Sequence, residues 1–155
     1  MNLADDLIDA WMINNRIHRY LLDAIDPGAL GAASASKGRS VGAVFAHIHD
    51  VRLMWLKASA PDLTEALEKV GRESVLDGGL LARSLDASAE AIALLLHRGF
   101  ESGKIKGFKP HPAAFQSYLI SHEGHHRGQI LLALKQSGYK VDQKTGFGIW
   151  EWGVR

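Results

Sequence analysis

Three histidines fall within five residues, His122-Glu123-Gly124-His125-His126, inside a segment whose apolar spacing is that of a long helix. No other feature restricts the fold as much. Residues four apart on a helix lie one above the other, so His122 and His126 share a face. Two imidazoles stacked in this way can grip one transition-metal ion. The chain must therefore be a helical protein able to present polar rings on a helix face.

The rest of the sequence supplies the other helices. Leu7, Trp11, Asn14, His18, Leu21, Leu22 and Ile25 fall on one side when each residue turns by ~100°, which predicts a first helix from Leu3 to Ile25. Asp26-Pro27-Gly28 ends it, and residues 28–39, rich in Gly, Ala and Ser, read as a loop. Ser40 is a natural N-cap for a second helix to about Ala58. Residues 62–76 are mixed, with room for a short helix. Asp77 can cap a third long helix ending near Gly99. Pro112 suits the first position of a fourth, which runs to about Ser137 with Gly138 beyond its end. The tail from Tyr139 to Arg155 reads as irregular, its tryptophans packing back on the bundle. Four long helices with few strand signals predict an all-α four-helix bundle, a single domain over 1–155.

Helical projection sorts the histidines. With Phe115 as reference, Leu119, His122, His126, Gln129 and Ala133 share its side of the fourth helix, so His122 and His126 are placed on the core seam and His125 on its flank. On the second helix Ala43, His47, Val51, Met54 and Ala58 share a side, read here as the core face. His49 projects the opposite way with Phe45, Leu53 and Leu56. Burying unpaired imidazoles costs on the order of 1–3 kcal/mol per unsatisfied group, and one shared metal ion satisfies all of them. His47, His122 and His126 are thus the candidate metal ligands, the usual number of protein ligands at a catalytic zinc site. Asn14 and His18 read as polar groups within the bundle or as partners orienting a ligand ring. His97 and His111 lie at helix ends, where capping or exposure accounts for them.

Composition narrows the classes. A 46% hydrophobic and 23% charged chain of 155 residues is ordinary for one globular domain. A net charge of +1 gives no electrostatic reason to expect nucleic acid or an anionic membrane. The absence of cysteine excludes disulfides, zinc–thiolate sites and cysteine nucleophiles. No apolar run reaches the ~18 residues needed to cross a bilayer, and the acidic start, Asp5-Asp6, is not a secretory signal. A cytoplasmic protein is the expectation.

Two patterns compete for the same residues. His122-Glu123-Gly124-His125-His126 fits the H-E-x-x-H helix of zinc metalloproteases, with Glu123 as general base. The extended motif then requires glycine and histidine where this chain has Gln129 and Leu132. The second pattern spans nearly the whole chain. His122 to Ile130, reading HEGHHRGQI, resembles the H-x-x-H-H-R-G-Q stretch of the DinB-like (DinB/YfiT) metalloprotein family. Ala46 to Leu56 resembles that family's second-helix block, Trp11 to Arg16 its first-helix pattern, and Gly148 to Gly153 the tail of one branch.

That resemblance implies a four-helix bundle with a divalent metal held by His47, His122 and His126, with zinc or nickel suited to imidazole ligands. It also implies a metal-dependent enzyme acting on a small molecule, by analogy with relatives that are thiol-dependent transferases or isomerases. The alternatives are a metal-dependent hydrolase, in which Glu123 is either the base or a surface carboxylate, and a non-catalytic metal-binding stress-response protein. A homodimer is expected as well, through the side of the second helix bearing Phe45, Leu53 and Leu56, unless Trp150 and Trp152 cover it.

Overall fold

The computed structural model describes residues 2–155. Its architecture is the expected all-α bundle: α1 Leu3–Ala24, α2 Val41–Ser59, α3 Gly78–Ser102 and α4 Pro112–Gln136, followed by a short α5, Gln143–Gly148. The starts are fixed by side chains that satisfy otherwise free backbone N–H groups. Asn2 and Asp5 form a reciprocal capping box on α1, Ser40 accepts from Ala43 N, and Asp77 accepts from Leu80 N. His111 does the same for α4, its Nδ1 accepting from Ala114 N at 3.1 Å. Gly138 follows α4 at φ 82°, a left-handed turn that favours glycine.

Two expectations are revised. Residues 62–76 hold two single turns of 3-10 helix, Pro61–Thr64 and Arg72–Ser74, rather than a short α-helix. The tail contains α5, capped by Asp142, which accepts from Thr145 N at 2.7 Å. A six-residue helix with two glycines carries too little periodic signal to be read from sequence.

The third helix packs against both α1 and α2, and α4 closes the bundle against the same two helices. The apolar core has two halves. One gathers Ile17, Leu21, Phe45, Ile48, Leu85 and Ile130; the other gathers Trp11, Leu56, Ile92, Leu96, Phe115 and Leu119. Between them lies a buried polar layer of Asn14, Asn15, His18, Arg52, Ser88 and Glu123.

This packing corrects the orientation assigned to α2. Phe45, His49, Leu53 and Leu56 are the buried side, each no more than 1% exposed, whereas Met54 is 52% exposed and His47 and Val51 are half-buried. Both sides of α2 are apolar enough to pass for a core face, and Arg52 conceals the true one because a guanidinium counts as polar wherever it points. The surface assigned to a homodimer is therefore interior. Of the two tail tryptophans, Trp150 is 74% exposed, whereas Trp152 packs, partly buried, against the half of the core that contains Phe45. Leu56→Glu is accordingly expected to unfold the protein, since it buries an unpaired carboxylate. Loss of the cooperative urea transition would verify this, and a stable soluble variant would refute it.

Gly42, at the start of α2, allows a close approach of two backbone segments. A Cβ there would lie 1.9 Å from Val75 O, a backbone atom that cannot swing away. Gly42→Ala is expected to cost at least about 1–3 kcal/mol, the range for overpacking, read as a lower urea midpoint with an unchanged slope.

Candidate metal centre

Three rings from two helices meet at the edge of the bundle where α2 faces α4. One nitrogen from each of His47, His122 and His126 can be chosen so that all lie within 4.8 Å of one another. Ring centroids are 4.6 Å apart for His47–His126, 4.5 Å for His122–His126 and 5.6 Å for His47–His122. The i,i+4 spacing on α4 stacks His122 over His126, and packing of α2 against α4 brings His47 to the pair.

The nitrogens carry further information. His126 Nδ1 lies 2.7 Å from Gln129 Oε1. An amide oxygen only accepts, so Nδ1 carries the proton and Nε2 presents a lone pair. That Nε2 lies 3.0 Å from His122 Nε2. Gln129 therefore fixes the His126 tautomer with the free nitrogen aimed at the cluster, as outer partners of metal-bound histidines do. The same amide places its nitrogen 3.3 Å from His125 Nε2. His125 is exposed and outside the triad, as expected. The ring of Tyr118 stacks on His122, with centroids 6.2 Å apart. Three neutral nitrogen donors converging on one point suit a borderline-soft divalent ion such as zinc or nickel.

All three rings are disposed to stay neutral. Burial lowers the pKa of His47 to about 4, with the charge of Arg39 and the two neighbouring imidazoles acting in the same direction. Burial is also the chief cause of the lowered values of His122 and His126, the latter partly offset by its bond to Gln129. His18, wholly buried, is lowered too, although its bond to Glu123 opposes the shift. A histidine whose folded pKa lies below its unfolded value refuses a proton that the unfolded chain accepts. Stability of the metal-free protein is therefore expected to be intact above the unfolded value of 6.5 and to decline as pH falls from there towards 4. Urea midpoints in chelator between pH 7.5 and 5 measure this; a flat profile contradicts it.

Behind the triad, the polar layer centres on Glu123. Its Oε1 accepts from Arg52 Nε at 2.6 Å, and its Oε2 accepts from Arg52 Nη2 at 2.8 Å, Asn14 Nδ2 at 2.7 Å and His18 Nε2 at 2.9 Å. Arg52 Nη1 also donates to Asn15 Oδ1 at 2.9 Å and to the Leu85 carbonyl at 2.8 Å. The helices α1, α2 and α4 thus meet at one carboxylate, and Arg52 ties α3 to it through Leu85. Burial alone would favour the neutral acid; the Arg52 guanidinium and the bonds from Arg52 and His18 outweigh it and hold Glu123 far below the usual carboxylate range.

These contacts revise the α4 projection. The seam centre runs through Phe115, Leu119, Glu123 and Ile130; His126 borders it at 7% exposure, His122 is half-buried and Gln129 is exposed. The triad lies at a rim open to solvent rather than in the core. Glu123 is neither a surface carboxylate nor free to act as a base. Asn14 and His18 serve the Glu123 cluster, not the ligand rings. Arg52 was not singled out from sequence, though a lone arginine in the apolar run Val51-Arg52-Leu53-Met54-Trp55-Leu56 was the available signal.

Comparison with known proteins adds one match. A family model described as the DinB family covers residues 1–152. No curated protein and no solved structure matches the chain.

Proposed function

This chain belongs to the DinB family, and from that premise we propose that it is a metal-dependent protein whose His47, His122 and His126 hold one divalent transition-metal ion, zinc or nickel. The observation that carries the reading is the convergence of the three rings, with His126 already turned towards their common point by Gln129. A divalent ion held by three neutral donors supplies a Lewis-acid position that lowers the pKa of a bound water or thiol. The chain's own part is positional. Gln129 sets the His126 tautomer, Tyr118 packs over His122, and the Arg52–Glu123 pair links the helices that carry the ligands.

We favour an enzyme acting on a small molecule by thiol transfer. A hydrolase of the H-E-x-x-H type needs its motif carboxylate as base, and that carboxylate is consumed by Arg52, Asn14 and His18. Loss of thiol-dependent turnover of an electrophilic small molecule in His126→Ala supports the enzyme. A metal-loaded protein inert towards a panel of low-molecular-weight thiols favours the non-catalytic metal-binding alternative. Among the described residues no helix is long and apolar enough to cross a membrane. A homodimer, if formed, must use a surface other than the buried side of α2. Phe147 and Trp150, 63% and 74% exposed, offer one, and light scattering at micromolar concentration measures the mass.

A further inference from the structure

We propose that an oxyanion subsite adjoins the histidine triad, formed by Lys37 and Arg39 with Ser34, Ser36 and Gln129, and that it takes the carboxylate or phosphate of a small-molecule ligand. This extends the metal reading of the same site. A cavity of about 290 Å³ lies between the loop after α1 and the face of α4, near the lower end of small-molecule sites. Its lining includes Val44 and Gln129. Val44 stands one turn before His47 on α2, and Gln129 one turn after His126 on α4. The α2–α4 groove that carries the triad therefore continues into the cavity within about 5 Å of helix rise. A ligand a few bonds long can span both.

The loop is held in place. Val41 N donates to the Ala32 carbonyl at 2.8 Å and closes its base. Ala35 N donates to Gln136 Oε1 at 2.7 Å, and Ser137 Oγ donates to the Ala33 carbonyl at 2.8 Å, which fastens the loop to the end of α4. Within it, Lys37 N donates to the Ser34 carbonyl at 2.9 Å, and Lys37 adopts φ 65°, a conformation uncommon for a residue with a side chain.

Charge identifies the ligand class. The cavity is lined by Lys37 and Arg39 and by no carboxylate. Neither cation forms an ion pair among the described residues, so the charge of both is open to an anion in the cavity. Arg39 lines the same cavity as Gln129, whose amide oxygen lies 2.7 Å from His126 Nδ1. Three imidazoles neutralise none of a metal ion's charge, so a dication beside an unpaired guanidinium is electrostatically unfavourable until an anion joins them. The Ser36 hydroxyl adds a donor suited to oxyanion oxygens, while the Ser34 hydroxyl donates to the Lys37 carbonyl at 3.1 Å and braces the loop.

Calorimetric titration of the metal-loaded protein with inorganic phosphate, and separately with succinate, tests the proposal. At least one is expected to bind, with affinity falling tenfold or more in Lys37→Gln/Arg39→Gln while metal content and urea midpoint are unchanged. Which probe binds separates phosphate from carboxylate ligands. Failure of both to bind the wild type, or equal binding to the variant, overturns the subsite. If the wild type takes up no metal, the metal reading fails alone; phosphate or succinate binding that still depends on Arg39 then upholds the subsite.

Discussion

Glu123→Ala is expected to destabilise the protein by about 3–5 kcal/mol, the range for removing one partner of a buried ion pair. The change leaves the Arg52 guanidinium, 0% exposed, as an uncompensated charge, and strips Asn14 Nδ2 and His18 Nε2 of their acceptor. Urea unfolding measures it. The expected cost belongs to the stranded partner more than to the pair, so Arg52→Met combined with Glu123→Leu is expected to recover much of the loss, because apolar replacements of similar volume fill the layer. A single variant as stable as the wild type contradicts the assignment. Sign and pH window follow from the depressed Glu123 carboxyl: its contribution is complete above the ordinary value of 4.5 and is lost progressively as pH falls below it towards the depressed folded value.

Removal of metal is expected to lower stability as well. The ligands come from helices separated by more than 70 residues, so an ion between them binds the folded chain and not the unfolded one. At a free metal concentration a hundred times Kd the stabilisation is about 2.7 kcal/mol, and in a domain of this size that corresponds to roughly 5–10 °C in melting temperature. A strong chelator is expected to lower the transition by that amount and to leave His126→Ala unmoved. Gln129→Ala, which frees the His126 ring without removing a ligand, is expected to weaken metal affinity about 10–100-fold. A melting curve unchanged after confirmed loss of metal argues against a site that spans α2 and α4.

Helix positions were legible from sequence because their ends are written in local chemistry: Ser40, Asp77 and Pro112 mark starts, and Gly138 marks a stop. The His122–His126 pair was legible because its spacing on α4 is a property of one helix, whereas His47 was reached through the family resemblance and a projection of α2 that the packing revises. What could not be read was which way each helix is turned. The rotation of α2 and α4 is set by a contact between residues 71 positions apart, Arg52 and Glu123, and each of these scores as solvent-facing by itself. Counting them as polar turned the projection of α4 towards His122 and Gln129, and that of α2 towards Met54. The same error hid the accessibility of the site: a triad at the rim can meet a ligand, and a triad on the core seam cannot. The loop cations were invisible for a related reason. Lys37 and Arg39 read as ordinary surface charges until hydrogen bonds from Ala35 and Ser137 fix their loop beside Gln129.

Elemental analysis of the purified wild-type protein and of a variant carrying His47→Ala, His122→Ala and His126→Ala tests the metal centre most directly. The expected result is about one divalent transition-metal ion per wild-type chain, as three convergent imidazoles provide a single site, and none in the variant. A wild type that stays metal-free after incubation with zinc and with nickel, or a variant that retains the wild-type metal content, contradicts it.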